Sequence, residues 1–359
     1  MRLGLLFASI LTCGCRQIFG VETPSALASD AARDTLVPSD TGSSDASGQA
    51  CFTVATLALT ACADRVLPPL EAPSDTVFDT SDTALCDAAS PAGTCLIATT
   101  TLSIAAGAHV SVTGTRPLIV FATQTIAIAG TFDVASHVDG TTGPGANPAS
   151  CPVGSLPSGG GGGAGGSFGT GGAHGGDGGL LTGGTRGTAA AIIAPATLRG
   201  GCPGQSGAGV TGGGAGGGAL LLIANDRIDL TDAAVINASG QSGDASPAPT
   251  HGGNGGGAGG MIAISAPVIR TSMTTQMFAN GGHGGGGSTS AADGNHGIDP
   301  TSATSGGSGG GGSSGTGGAG YPTTGVGGTG ITQGGGGGGV IELSRQDTIV
   351  SGAVSPPAN

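Results

Sequence analysis

The apolar residues of this chain recur in a repeated unit of about 20 residues. Each unit opens with four or five apolar residues, passes through a polar pair and continues as isoleucine, any residue and a second apolar residue. The three longest units then turn again and close with a second short apolar stretch. The units read LIVFATQTIAIAGTFDVAS (118–136), LLLIANDRIDLTDAAVINAS (220–239), MIAISAPVIRTSMTTQMFAN (261–280) and VIELSRQDTIVSGAVS (340–355), after a weaker copy, CLIATTTLSIAAGAHVSVTG (95–114).

This pattern predicts an all-β protein. Short stretches rich in β-branched residues and separated by turns indicate three short strands per unit. Their repetition predicts that successive units stack into a β-solenoid, or parallel β-helix, over residues 96–359. A β-sandwich is the alternative, but it does not require every unit to begin with the same apolar quartet.

Glycine-rich segments lie at one phase of the repeat, between the third strand of one unit and the first strand of the next. They span 137–217, 241–259 and 283–339 and hold most of the 79 glycines. Glycine runs can form the extended polyglycine II helix, with three residues per turn and backbone groups that point towards neighbouring chains. Their regular phase favours insertions packed in this polyglycine II-like form, and disordered loops are the alternative.

The first residues, MRLGLLFASILTCGC, indicate export. An apolar run from Leu3 to Leu11 follows an early arginine and is too short to span a bilayer. The run ends near Cys15, as in a bacterial lipoprotein signal whose cysteine becomes the lipidated first residue, although Cys13 competes for that role. We expect a signal peptide at 1–14 and a lipid on Cys15.

Two further segments precede the repeats. Residues 15–50 gather Asp, Ser, Ala and Thr, a composition that predicts a disordered tether. Residues 51–95 contain four cysteines and scattered prolines. They predict a disulfide-tied cap on the open end of the repeat stack.

Six cysteines remain beyond the signal and the lipidation site: Cys51, Cys62, Cys86, Cys95, Cys151 and Cys202. An even number in an exported chain predicts disulfides. Short loops favour Cys51–Cys62 and Cys86–Cys95, which leaves Cys151–Cys202 to close the first glycine-rich insertion, although six cysteines allow fifteen pairings. A zinc site is the alternative, but no Cys-x-x-Cys spacing occurs among them.

Composition narrows the classes of function. Charged residues make up 9% of the chain, the net charge is −12, and all ten basic residues are arginines. Such a chain cannot neutralise many phosphates, which argues against nucleic acid as a partner. A surface of Gly, Ser, Thr and Asn suits an extracellular β-protein.

Three histidines stand before glycine runs and are the weak candidates for a metal site: His174, His251 and His283. Converging imidazoles can bind a transition metal. Only Asp177 adds a carboxylate at a matching offset, and residues in a repeat usually recur because the repeat does. No metal or other cofactor is expected, and tandem calcium repeats and a phosphate-binding loop are both rejected on register and context.

Enzymes on β-helices commonly cluster charged residues in a groove. Asp226, Asp229 and Asp232 are close enough in sequence to form a paired-carboxylate site. Aspartate is also an ordinary turn residue, and no converging constellation of catalytic groups is visible. No catalytic residue is therefore assigned.

The segments CRQIFGVETP, RPLIVFATQTIAIAGTFDVASH, LRGGCPGQ and GGGGGGVIEL resemble the glycine-rich envelope lipoproteins of myxobacteria and related Gram-negative bacteria. The resemblance covers nearly the whole chain. It implies an exported envelope protein and brings no known activity or binding residues with it. Packed glycine segments also resemble, in architecture alone, phage tail adhesins and the glycine-rich ectodomains of some receptor kinases.

These observations together predict a non-catalytic cell-envelope lipoprotein with a surface, adhesion or structural role. We expect it at the outer membrane or cell surface, with the membrane as a partner through the N-terminal lipid and surface polysaccharide as a suitable ligand. The alternatives are a β-helix polysaccharide lyase or hydrolase and an ice- or mineral-binding protein.

Overall fold

The computed structural model of this chain describes most of the residues that follow the predicted tether. The described ranges are 49–178, 183–208, 212–231, 233–246, 251–288, 293–304, 320–321, 339–349 and 352–358, with side chains left out at 344–349. They all belong to one of two compact units of the chain, residues 39–359. The predicted signal peptide, lipidation site and most of the tether lie outside the described residues, so these remain predictions.

The described residues are nearly all-β, as the repeat predicts. Their only helical element is a three-residue 3-10 turn, Ala55–Leu57. The strands are β1 (Ala50–Val54), β2 (Leu59–Ala63), β3 (Leu70–Ala72), β4 (Thr76–Asp79), β5 (Cys95–Ile104), β6 (His109–Thr113), β7 (Leu118–Ile128), β8 (Thr131–Asp133), β9 (Ala219–Ala224), β10 (Arg227–Leu230), β11 (Val235–Asn237), β12 (Met261–Thr271), β13 (Gln276–Phe278), β14 (Val340–Ile349) and β15 (Ala353–Ser355).

Two parallel sheets carry the repeat, and each unit contributes to both of them. The first, which we call the long-strand sheet, has the order β3, β5, β7, β9, β12 and β14, with β10 between β7 and β12. The second, the short-strand sheet, has the order β4, β6, β8, β11, β13 and β15. Every described pairing between units is parallel.

The apolar quartets of successive units are stacked in register. Leu118 pairs with Leu220, Leu220 with Ile262, and Ile262 with Ile341. The same columns continue through the residues two positions further along each strand. Stacking therefore places like side chains above one another, which explains why each unit begins with the same apolar run.

The quartets of β7, β9 and β12 are continuously apolar because both faces of the long-strand sheet are buried there. Val120 and Leu222 point into a core shared with the short-strand sheet. Ile119, Leu221 and Phe121 belong instead to a second cluster on the outer face. Strands covered on both sides lose the usual alternation of apolar and polar residues.

The β1–β2 hairpin and parts of the glycine-rich segments cover that outer face. Phe52 of the hairpin packs on Phe121 with ring centroids 5.1 Å apart. Phe168 and Leu198, from the first glycine-rich segment, belong to the same cluster. Residues 51–95 thus supply a hairpin on the side of the sheet, and their strands β3 and β4 extend both sheets as a further unit.

Each unit has two sheet positions where the sequence predicts three strands. The first two predicted strands of a unit run on as one long strand in β7, β12 and β14, and only Asn225 and Asp226 separate β9 from β10. The polar pair Thr123 and Gln124 stays extended inside β7. Polar residues whose side chains reach solvent can remain in a strand as readily as in a turn, so the pattern alone did not distinguish the two.

The described residues contain three disulfides, which are the two pairs that short loops favour and the third pair that these leave. Cys51–Cys62 joins directly opposed residues of the hairpin. Cys86–Cys95 ties the loop before β5, and Cys151–Cys202 closes a loop across 51 residues of the first glycine-rich segment.

The glycine-rich segments bond to one another through their backbones at three-residue intervals. The amides of Gly214 and Gly217 donate to the carbonyls of Gly255 and Ala258, at 2.9 and 2.8 Å. This step fits an extended helix with three residues per turn. The same step recurs between Gly163/Gly166 and Gly253/Gly256, Gln205/Ala208 and Ala164/Gly161, Gly162/Gly165 and Gly176/Ala173, Gly240/Gly243 and Asn280/His283, and Gly282/Gly285 and Gly257/Asn254.

One segment, residues 253–258, lies at the centre of this arrangement. It makes backbone hydrogen bonds with five others: 163–166, 202–205, 214–217, 241–244 and 282–285. Buried backbone N–H and C=O groups need hydrogen-bond partners. In these segments the backbones of neighbouring segments supply them.

Close approach explains the glycines in these segments. A Cβ on Gly257 would lie 1.9 Å from the carbonyl oxygen of Ala215, and one on Gly255 would lie 2.0 Å from that of Ala164. Neither glycine has a positive φ. The absence of a side chain, rather than conformational freedom, is what these positions need.

Candidate functional site

A cleft of about 780 Å³ lies where the first glycine-rich segment meets the turns before β5 and β7. Its lining mixes apolar and polar groups and is almost uncharged, with Arg199 as the one charged residue among the residues that form it. The lining residues are Gly93, Gly114, Thr115, Pro117, Thr142, Gly145, Ala146, Asn147, Pro148, Ala149, Ser150, Thr197, Leu198 and Arg199.

Backbone hydrogen bonds hold the walls of this Arg199 cleft together. The amide of Gly145 donates to the carbonyl of Gly114, and the amide of Gly200 donates to that of Gly145. Asn147 adopts a left-handed conformation with φ of 54° and accepts the Gly216 amide on its Oδ1 at 2.8 Å. The cleft is thus fixed to both the sheet and the glycine-rich segments.

Arg199 is positioned by an aromatic ring and a disulfide. Its guanidinium carbon lies 5.3 Å from the centroid of the buried Phe168 ring. Its Nη2 donates to both sulfurs of Cys151–Cys202, at 3.2 and 3.3 Å, and its Nη1 donates to Ser150 Oγ at 3.2 Å. Burial lowers the pKa of Arg199 from its ordinary value.

The guanidinium has no carboxylate partner among the described residues. Disulfide sulfur is a weak acceptor, so the hydrogen bonds of Nη2 leave the charge poorly compensated. A cation of this kind beside hydroxyls and an amide can bind an anionic or hydroxyl-rich ligand. The guanidinium itself offers neither a nucleophile nor a general base.

The structure does not assemble the three candidate histidines into a metal site. His174 is exposed, and its Nδ1 accepts the Ala189 amide at 2.9 Å. His251 is half-buried, whereas His283 is fully buried. In the part of the chain that the structure describes, no group of three or more His, Cys, Asp or Glu side chains is placed to hold a metal ion.

His283 is buried without a partner for either ring nitrogen, within the described residues. Its backbone takes part in the glycine packing, because its carbonyl accepts the Gly243 amide at 2.6 Å. Burial lowers the pKa of His283 to about 4, against a smaller opposing effect of Asp299. The ring is therefore neutral at physiological pH. It fills buried space at a cost in folding free energy, because its ring nitrogens are removed from water without hydrogen-bond partners among the described residues.

We expect this histidine to make the fold acid-sensitive. Its pKa is lower in the folded chain than in the unfolded one, so the unfolded state binds the proton first as pH falls through 6.5. The free energy of unfolding therefore falls by on the order of 3 kcal/mol, and this loss is complete below the folded pKa of about 4. In urea unfolding, His283→Met should reduce the decrease in unfolding free energy between pH 6.5 and 4. The exposed His174→Gln should leave that decrease unchanged. An equal decrease for His283→Met and wild type would contradict this prediction.

A second ionic cluster links the short-strand sheet to the third glycine-rich segment. The Nε2 atoms of His109 and His137 lie 3.4 and 3.2 Å from Asp133 Oδ2, and His137 Nδ1 lies 3.7 Å from Asp299 Oδ2. Asp299 also accepts the amides of Val138 and Ser242, at 2.8 and 2.7 Å. Hydrogen bonds to Asp133 and then Asp299 raise the pKa of His137 to about 10.

This cluster should stabilise the fold in a pH range opposite to that of His283. A raised pKa gives stability that is present below 6.5 and is lost as pH rises to about 10. His137→Gln should therefore cost about 2 kcal/mol at pH 6 and far less above pH 10, by urea unfolding. His296→Gln, which removes an exposed pair with Asp244, is the control and should lower the free energy of unfolding by under about 1 kcal/mol at either pH. A loss for His137→Gln that does not change with pH would refute the assignment.

Two of the three aspartates considered for catalysis are described, and they occupy ordinary structural positions. Asp226 lies in the break between β9 and β10. Asp229 Oδ2 accepts Arg227 Nε at 2.7 Å, and its Oδ1 lies 4.0 Å from Arg270. Asp232 is outside the described residues.

Sequence reasoning missed both Arg199 and the His137 cluster. Arg199 stands three residues before Cys202, and His137 stands four after Asp133, but neither spacing marks a function. Both sites join residues from distant segments, and Asp299 is 161 residues from the Val138 amide that it accepts.

Comparisons with known protein families, with curated proteins and with solved structures found nothing that matches this chain. Among the described residues there is no helix whose length and apolarity would let it cross a membrane.

Proposed function

We propose that the chain is a β-solenoid whose glycine-rich insertions pack as polyglycine II-like helices on the outer face of its long-strand sheet. Two parallel sheets with one position each per unit support the solenoid. The three-residue step of the bonds between glycine-rich segments supports the polyglycine II form.

We further propose that this protein is a non-catalytic surface protein of the cell envelope that adheres to polysaccharide. The observation that carries the proposal is the glycine packing, in which backbones bond to backbones across five neighbours of residues 253–258. Such packing gives a rigid body with few charges, and its exposed side chains include Ser155, Ser158 and Thr185 of the first glycine-rich segment. Those side chains suit hydrogen bonds with sugar hydroxyls.

Binding to glycans tests this function. The exported chain, labelled and applied to an array of bacterial and plant polysaccharides, should bind at least one of them reproducibly. Gly257→Ala, which disrupts the packing, should lose that binding. Uniformly negative arrays with folded wild-type protein would refute the adhesion role.

The envelope location rests on the proposed lipid at Cys15. Cells that express Cys15→Ser should lose incorporation of an alkyne-labelled fatty acid and release the protein from the membrane fraction. The matched Cys13→Ser variant should still be labelled. Labelling that survives Cys15→Ser and disappears in Cys13→Ser would move the modification to Cys13.

A further inference from the structure

The polar groups of the Arg199 cleft are available for a ligand. Within the described residues, the hydroxyls of Thr142 and Thr197 make no hydrogen bond, and the side-chain Nδ2 of Asn147 donates none, whereas its backbone amide donates to the Gly201 carbonyl. Ser150 Oγ already faces Nη1 of Arg199. The cleft therefore presents unused donors and acceptors around one cation.

The cation itself is better suited to a carboxylate than to its present partners. Among the residues that the structure describes, Nη2 of Arg199 reaches only the two disulfide sulfurs, and Nε has a long contact of 3.4 Å with the Gly200 carbonyl. A carboxylate accepts two parallel hydrogen bonds from a guanidinium and compensates its charge. Asp79, which lies beside Gly114, forms no ion pair with Arg199.

We propose that the Arg199 cleft binds a carboxylate-bearing sugar, such as a uronic acid unit of an acidic polysaccharide. The carboxylate pairs with Arg199, and the sugar hydroxyls bond to Thr142, Thr197 and Asn147. A volume of about 780 Å³ accommodates one or two sugar rings. This inference rests on the proposed adhesion to polysaccharide and specifies its ligand.

The net charge of the chain makes the proposal specific. At −12, the protein repels acidic polymers in general, so a uronate must be held by a local cation. Loss of Arg199 should then abolish the preference for acidic sugars and leave contacts with neutral hydroxyls intact.

Titration calorimetry with a galacturonic acid tetramer and its methyl ester, at physiological ionic strength, tests this inference. Wild type should bind the acid at least about tenfold more tightly than the ester. Arg199→Gln should reduce binding of the acid to that of the ester. The exposed Arg186→Gln, a change of the same charge outside the cleft, should bind as wild type does.

A measurement on the wild-type chain covers the case in which Arg199→Gln does not fold. The galacturonic acid tetramer should slow phenylglyoxal modification of Arg199 but not of Arg186, and the ester should protect neither. Equal affinity for acid and ester, absence of protection, or equally tight binding of a glutamate tetrapeptide would overturn the uronate assignment. Binding of neutral glycans elsewhere would leave the adhesion role standing, whereas absence of all glycan binding would remove both.

Discussion

Replacement of Gly257 by alanine should lower the free energy of unfolding by about 3 kcal/mol or more. The new Cβ would lie 1.9 Å from the Ala215 oxygen and 2.3 Å from its carbonyl carbon. Both are backbone atoms of a neighbouring segment, so no rotamer change can relieve the clash. Gly257 also donates to Gln241 and accepts from Gly282, and displacement would weaken both bonds. Urea unfolding monitored by circular dichroism gives the value.

Gly171→Ala is the matched control, because both glycines lie in glycine-rich segments without a positive φ. A Cβ on Gly171 would meet only Ile192, at an ordinary 3.8 Å. We expect Gly171→Ala to leave the free energy of unfolding unchanged or to raise it by up to about 1 kcal/mol, since alanine restricts the unfolded chain. Equal effects of the two substitutions would show that Gly257 is not packed as described.

Loss of the Cys151–Cys202 disulfide should be the second large effect. The bond closes a loop across 51 residues that includes much of the first glycine-rich segment. Glycine-rich chains gain much backbone freedom on unfolding, and the loop-closure model gives about 4 kcal/mol for a loop of this length. The double variant Cys151→Ser/Cys202→Ser should lose about that amount in urea unfolding. It should also loosen the Arg199 cleft, because both sulfurs accept hydrogen bonds from Arg199.

The hairpin disulfide provides the comparison. Cys51 and Cys62 are 11 residues apart and already face each other across paired strands. The same model gives about 3 kcal/mol for this shorter loop, so Cys51→Ser/Cys62→Ser should cost less. A larger loss for the hairpin pair would mean that residues 151–202 are held mainly by other contacts.

The fold was predictable where one physical cause acted on every unit. The quartets at 118, 220 and 261 are apolar throughout because stacking buries them on both faces, and repetition made that visible in the sequence. The last quartet, VIEL at 340, keeps the pattern except for Glu342. The number of strand positions per unit was less accessible. Thr123 and Gln124 read as a turn, yet they extend β7, because a polar pair does not by itself end a strand.

The packing partners of the glycine-rich segments could not be read from the sequence. Gly214 bonds to Gly255, but nothing in two glycine runs specifies their register, since they lack side chains. The Arg199 cleft depends on that register, because its walls come from turns near Gly93 and Thr115 and from both ends of a long insertion. His283 was only a weak candidate for a metal site, and the sequence did not indicate that it would be buried with no partner for its ring among the described residues.

Amide hydrogen exchange of residues 160–178 and 251–260 is the most direct test of the claim that bonded backbones hold the glycine-rich segments in place. With fragment-resolved mass spectrometry, the bonded amides of both stretches should exchange as slowly as β7, minutes to hours at neutral pH, because amides such as those of Gly163, Gly166, Gly255 and Ala258 donate to other segments. Exchange within seconds at the rate of an unstructured glycine peptide, while β7 stays protected, would contradict the account.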